Sequence, residues 1–94
     1  MGITIKFVGA LRYTLGTNDL KFDKEKCQSV RELIKELVKQ KPEIRKTLID
    51  QQLDDPRPNA LILVNGKEVS VLEGLDTTLN EGDEVALVSV VHGG

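Results

Sequence analysis

The sequence contains no tryptophan, and its 94 residues include only one tyrosine and two phenylalanines. Aromatic side chains are the usual platform on which proteins stack unpaired bases, so this scarcity disfavours a binder of single-stranded nucleic acid. An excess of positive charge is also missing, since 13 Lys and Arg stand against 15 Asp and Glu. Binding to a phosphate backbone needs such an excess, and we therefore expect no direct contact with nucleic acid.

Cysteine and long apolar stretches are equally scarce. Cys27 is the single cysteine, so no disulfide can close within the chain. No apolar run approaches the roughly 20 residues that span a bilayer, and the chain does not open on the apolar segment of a secretory signal. We expect a cytoplasmic protein that makes no membrane contact. Its length fits a single domain, 1–94.

The first third of the chain shows the pattern of two strands. Residues 3–8 alternate apolar and polar side chains, which predicts a strand with one buried face. Residues 19–23 repeat this period of two and predict a second strand. The segment 9–16 between them begins and ends with glycine, and we interpret it as the turn of a hairpin.

A helix follows the second strand. Ser29 and Glu32 form a capping box, which predicts that the helix begins there. The apolar residues beyond the cap fall at the spacing of one helical stripe: Val30, Leu33, Ile34, Leu37 and Val38. Pro42 disfavours helical geometry at the residue before it, so we expect the helix to end near Gln40. Pro42 itself can start a second short helix that reaches Ile49.

The second half of the chain predicts three more strands. An apolar run, 60–64, precedes the Asn-Gly pair at 65–66, which is typical of a tight hairpin whose return strand is 67–69. A tight turn at 81–83 precedes the final strand, 84–91. The order of elements predicts an α+β fold, in which a mixed sheet of four to five strands carries one long helix on one face.

The final strand is apolar on both faces. Ala86, Val88 and Val90 alternate with a second apolar set, although one helix can cover only one face of a sheet. We therefore interpret Ala86, Val88 and Val90 as a face that binds a partner. The alternative is that these residues only reflect the strand propensity of valine.

The sequence closes on His92, Gly93 and Gly94. Glycine offers no side-chain chemistry, so the reactive group would be the carboxylate of Gly94, which is ionised and a poor electrophile until it is activated. Adenylation with ATP would supply a leaving group, and the missing Cβ atoms would let a flexible tail, 92–94, enter a narrow channel. The dipeptide alone is more typical of a disordered end or a truncation scar.

Other polar residues do not form a recognisable site. His92 has no cysteine or carboxylate at metal-ligand spacing, and we interpret it as a tail residue that either contacts an activating enzyme or faces solvent. Cys27, just before the helix cap, is typical of a small buried side chain. The acidic turn 81–84 is interpreted as solvated. We expect no metal, no bound cofactor and no catalytic centre, so the chain is not an enzyme.

Several motifs occur in an order and spacing that resemble a known family. They are Ile5-x-Phe7-x-x-x-Leu11-Arg12-x-x-x-Gly16, then Val64-Asn65-Gly66, then Leu79-x-Glu81-Gly82-Asp83-Glu84-Val85, and finally Gly93-Gly94. Together they resemble the MoaD and ThiS family, which includes the ubiquitin-related modifiers and the small archaeal modifier proteins. The ending His92-Gly93-Gly94 is similar to that of the ubiquitin-related modifiers.

The resemblance implies a ubiquitin-like β-grasp fold and an E1-like enzyme that adenylates Gly94 with ATP and Mg. Gly94 would then become a thiocarboxylate that carries sulfur to a tRNA thiolase or to the large molybdopterin synthase subunit. The alternative is a protein modifier joined through Gly94 to lysines of target proteins, and a third possibility is a regulatory module that does not need Gly94. The resemblance also implies that His92 and Gly93 enter the enzyme and that Ala86, Val88 and Val90 meet partners.

Overall fold

Five strands form one mixed sheet in the structure, a computed structural model that describes residues 2–90. The strands are β1 (Ile3–Val8), β2 (Asp19–Phe22), β3 (Ala60–Val64), β4 (Lys67–Glu68) and β5 (Glu84–Ser89). Their order across the sheet is β2-β1-β5-β3-β4. β1 and β5 run parallel, and the other neighbours run antiparallel. The mixed α+β sheet predicted from the sequence is confirmed.

The inner face of the sheet forms half of the core. Ile3, Ile5 and Phe7 on β1, with Val85 and Leu87 on β5, are each at most 2% exposed. The residues between them on each strand are half-buried or exposed. The period of two in the sequence therefore marks strands with one buried face, because successive side chains of a strand point to opposite faces.

The long helix α2 (Val30–Gln40) packs its apolar stripe on this inner face and joins the same core, which residues of the short helices and loops complete. Ser29 Oγ accepts a hydrogen bond from the Glu32 N–H at 3.2 Å, as the capping box predicts. The Glu32 carboxylate accepts from the N–H of Gln28 at 2.9 Å, one residue before the cap. The helix begins and ends where the sequence predicts.

One short helix was not predicted from the sequence, and a second one was. The segment predicted as a hairpin turn forms α1 (Ala10–Leu15), although β1 and β2 do pair antiparallel on either side of it. Six residues are too few for a stable isolated helix, so tertiary packing must hold α1. Leu11 supplies that packing, since it is 1% exposed within the core. The second short helix is confirmed as a 3₁₀ turn, Pro42–Ile44, followed by α3 (Arg45–Leu48).

Two turns far apart in the sequence meet at the start of β5. The Asn65 side chain donates to the Asp83 carboxylate at 2.9 Å and accepts from the Glu84 N–H at 3.0 Å. The other Asp83 oxygen accepts from the Asn80 N–H at 2.7 Å. Asn65 and Gly66 have φ values of 50° and 86°, which an Asn-Gly turn tolerates. These bonds tie the β3–β4 turn to the entry of β5.

We expect Asn65→Ala to lower the free energy of unfolding by about 1–3 kcal/mol, because it removes both side-chain bonds and puts alanine at a positive φ. Urea denaturation measures this loss. Asn18→Ala is the matched control, because Asn18 is exposed and its side chain makes no hydrogen bond within residues 2–90. Equal stability of the two variants would contradict this role for Asn65.

Candidate functional site

The candidate site lies where β5 leaves the sheet. β5 is the middle strand, paired with β1 along one edge and with β3 along the other. The chain continues from Val90 into the predicted tail, and Val91, His92, Gly93 and Gly94 lie outside the described residues. The structure therefore places Val90, the last described residue before the predicted tail.

The final strand ends earlier than the sequence predicts, since Val90 already lies outside β5. β5 stops at Ser89, whereas the alternating pattern extends to residue 91. Val90 still donates its N–H to the carbonyl of Asn59 at 3.1 Å, and the Asn59 side chain donates to the carbonyl of Leu48 at 3.2 Å. The last described residue is thus hydrogen-bonded to the start of β3 rather than free.

Ser89 links the end of β5 to the end of β1. Its hydroxyl donates to the carbonyl of Val8 at 3.0 Å and accepts from the N–H of Ala10 at 2.8 Å. Between these two residues lies Gly9, with a φ of 81°, and a Cβ atom built there would lie 2.3 Å from Ser89 Oγ. Glycine is therefore required by both its backbone conformation and the nearby hydroxyl.

The outer face of the sheet carries an apolar surface. Val88 lies between Val8 on β1 and Leu61 on β3, and Ala86 is paired with Leu63. Val8 is 47% exposed and Leu61 is 38% exposed. We call the following residues the outer patch: Val8, Leu61, Leu63, Ala86, Val88 and Val90.

The structure places Ala86 and Val88 on this outer face, half-buried, as their alternation indicates. Val90 is 41% exposed and shares with Leu61 a surface depression of about 210 Å³. Sequence reasoning missed the contributions of β1 and β3. The signal for β3 was present in the run 60–64, which is apolar on both faces in the same way as β5. The binding role of these residues stays a prediction.

Cys27 is a small buried core residue, as predicted. Burial raises the pKa of its thiol to about 11, and the carboxylates of Glu36 and Glu32 add to that rise. At neutral pH roughly one molecule in ten thousand would carry the thiolate, which is the form that attacks electrophiles. Cys27 is therefore a poor candidate for carrying or accepting a sulfur atom.

Within residues 2–90, no three His, Cys, Asp or Glu side chains are grouped in a way that could hold a metal ion. In the acidic turn predicted to be solvated, both carboxylate oxygens of Asp83 are occupied by hydrogen bonds from Asn65 and Asn80. No helix in the described part of the chain is long and apolar enough to cross a membrane.

Comparison with known proteins gives consistent matches. The ThiS family model matches residues 5–94. Small archaeal modifier protein 3 from Haloferax volcanii is 26% identical over 94 residues, which is all of both chains. Ubiquitin-related modifier 1 from Schizosaccharomyces pombe is 47% identical over 38 residues. This match covers 40% of the present chain and 39% of the relative's length. The solution structure of Urm1 from Trypanosoma brucei matches with a TM-score of 0.77 and 31% identity, over 99% of this chain and 95% of that one.

We expect the Cys27 thiol to resist labelling by an aromatic disulfide reagent in the folded protein, because it is buried and protonated. Its labelling should be at least about a hundredfold slower than in urea, since it requires opening of the core. The variant Tyr13→Cys is the control, because Tyr13 is 81% exposed. That variant should show one fast and one slow thiol. Fast labelling of Cys27 in the unmodified chain would contradict its assignment as inert.

Proposed function

Because the chain belongs to the ThiS family, we propose that it is a sulfur carrier whose C-terminal Gly94 is adenylated by an E1-like enzyme and converted to a thiocarboxylate. The observation that carries this proposal is the position of the Gly93-Gly94 pair, four residues after a strand that is hydrogen-bonded along both edges. Such a strand presents a short glycine tail from a fixed point. The family match extends to residue 94 and so includes this pair.

The chemistry begins at the carboxylate of Gly94. One carboxylate oxygen attacks the α-phosphorus of ATP and pyrophosphate leaves, with Mg on the activating enzyme offsetting the phosphate charge. The resulting acyl adenylate has a good leaving group. Hydrosulfide then attacks the carbonyl carbon and AMP leaves, so that one oxygen of Gly94 is replaced by sulfur and the thiocarboxylate loses the proton that hydrosulfide brought. Glycine at positions 93 and 94 leaves the backbone accessible to both reactants.

Binding of the tail alone would be weak. Ordering each of its residues costs roughly 1–2 kcal/mol, with glycine at the upper end. A second contact surface must offset this cost, and burial of one valine-sized side chain contributes about 1.5 kcal/mol or more. The outer patch is suited to this role, since it is apolar, partly exposed and includes Val90, which precedes the tail by two positions in the sequence.

The partners follow from the reaction. The activating enzyme would dock on the outer patch and receive His92, Gly93 and Gly94. A sulfur acceptor, either a tRNA thiolase or the large molybdopterin synthase subunit, would use the same surface after activation. Both steps would take place in the cytoplasm, where ATP is present.

A second candidate function uses the same activated Gly94. If a lysine amine attacks the acyl adenylate and AMP leaves, the product is an isopeptide bond and the chain is a protein modifier. Two of the relatives above carry the word modifier in their names, which favours this candidate. The two functions differ only in the nucleophile, so one chain could serve both.

The test is to incubate the purified chain with its E1-like enzyme, ATP and a sulfide donor, and to measure the intact mass. We expect a gain equal to the difference between sulfur and oxygen, which is lost when ATP is omitted or Gly94 is deleted. Gly-Gly remnants on lysines of cellular proteins would support the modifier function as well. An unchanged mass, or full cellular function after deletion of Gly94, would contradict the proposal and favour a non-covalent regulatory module.

The proposed docking role of the outer patch is tested separately by a substitution at its centre. Val88→Asp puts a carboxylate at the centre of the patch, where an apolar partner surface would bury it without a partner charge. We expect the KM for the chain in adenylation to rise at least about tenfold, as measured by pyrophosphate release. Val71→Asp is the matched control, because Val71 is 73% exposed and lies outside the five strands. Equal KM values for both variants, each confirmed as folded by circular dichroism, would exclude the patch as the docking surface.

A further inference from the structure

The last two described residues are fixed from two sides. The Ser89 hydroxyl bridges the Val8 carbonyl and the Ala10 N–H, at 3.0 and 2.8 Å. The Val90 N–H donates to the Asn59 carbonyl at 3.1 Å. We call this set of bonds the tail clamp. It ties the residues just before the tail to the β1–α1 junction on one side and to the entry of β3 on the other.

The clamp requires a specific residue opposite the hydroxyl. A Cβ atom at Gly9 would lie 2.3 Å from Ser89 Oγ, which is far inside van der Waals contact. Any side chain at position 9 would therefore push the hydroxyl away from its two partners. The positive φ of Gly9 adds a second reason for glycine at this place.

The serine at position 89 is not explained by packing. The preceding inward-facing residues of β5, Val85 and Leu87, are fully buried and apolar. An apolar residue at position 89 would continue that pattern and extend the core. The hydroxyl instead joins the end of one strand to the turn after another, across 79 positions of sequence.

The direction of the chain at this point matters because the tail is short. The four residues beyond Val90, which are Val91 and the three residues of the tail, reach at most about 14 Å when fully extended. A change of about 20° in direction at Val90 would therefore displace the far end by about 5 Å. Activation of a carboxylate is sensitive to displacements of about 1 Å in the position of the reacting atoms.

We propose that Ser89 is a positioning residue for the activation of Gly94, because the clamp fixes the direction in which the tail leaves the sheet. This inference rests on the proposed function of Gly94 as the adenylated residue. Ser89 itself does not touch the reacting atoms. It acts by keeping Ser89 and Val90 in their hydrogen-bonded positions, so that only the residues beyond them must be ordered in the enzyme.

Loss of the clamp is expected to lower kcat for adenylation and to leave the KM for the chain unchanged. Docking through the outer patch does not depend on the hydroxyl, so the KM for the chain stays unchanged when the clamp is lost. The fraction of docked complexes with a correctly placed tail falls instead, and kcat falls with it. Ordering one additional residue lowers this fraction by about tenfold, so we expect about a tenfold lower kcat.

The experiment compares Ser89→Ala with Thr17→Val. Each substitution removes one hydroxyl that donates to a backbone carbonyl, and that of Thr17 bonds to Asp19 between α1 and β2. Amide hydrogen exchange, measured by NMR, should accelerate at Ala10 and Val90 in Ser89→Ala only. Adenylation by the E1-like enzyme should show the lower kcat with unchanged KM in Ser89→Ala, and Ser89→Thr, which retains a hydroxyl, should restore much of it.

Gly9→Ala disrupts the clamp from the other side. Its effect on kcat should be non-additive with that of Ser89→Ala, because both substitutions break the same contacts. If Gly9→Ala does not fold, the comparison of alanine and threonine at position 89 still decides the question.

The outcomes distinguish the inference from the function on which it rests. Adenylation of the unmodified chain together with an unchanged kcat in Ser89→Ala overturns the positioning role and leaves the proposed function standing. A raised KM with unchanged kcat would also overturn it, since Ser89 would then act in docking. Failure of the unmodified chain to be adenylated contradicts both.

Discussion

Hydrogen bonds along both edges of β5 hold the final strand in the middle of the sheet, between a parallel and an antiparallel neighbour. Its inward side chains Val85 and Leu87 are fully buried, and each contributes about 1.5–3 kcal/mol by burial. The strand cannot leave the sheet without breaking two ladders and opening the core. Everything assigned to the end of the chain depends on this constraint, because a tail is presented reproducibly only from a segment that does not move.

The two ends of β5 serve different purposes. At its entry, the bonds of Asn65 and Asp83 tie two turns together, and these turns include the motifs on which the family resemblance is based. At its exit lie Ser89 and the tail. A six-residue strand separates the two ends by roughly 17–20 Å. The turn motifs therefore stabilise the fold and do not contact the exit of β5. In the proposed function, the chemistry depends instead on Gly93 and Gly94, which follow the strand in the sequence.

Much of this architecture could be predicted from the sequence, because it rests on local patterns. The alternation in residues 3–8 and the capping box at Ser29 each reflect interactions between near neighbours. Helix α1 was missed because its stability comes from burial of Leu11 and not from its own six residues. The β3 side of the outer patch was missed because only strand pairing brings Leu61 next to Val88. The clamp was beyond sequence reasoning, since its partners lie 79 and 81 positions from Ser89.

We propose that sulfur is carried at the C-terminal carbonyl and not at the thiol of Cys27, which is buried and has a raised pKa. Top-down mass spectrometry of the chain, isolated from its own cells and alkylated at once, distinguishes the two positions. We expect an alkylated thiocarboxylate confined to the fragment that contains Gly94, with Cys27 unmodified. An additional sulfur on Cys27 would contradict this proposal. So would the absence of additional sulfur from every fragment under conditions that require sulfur transfer.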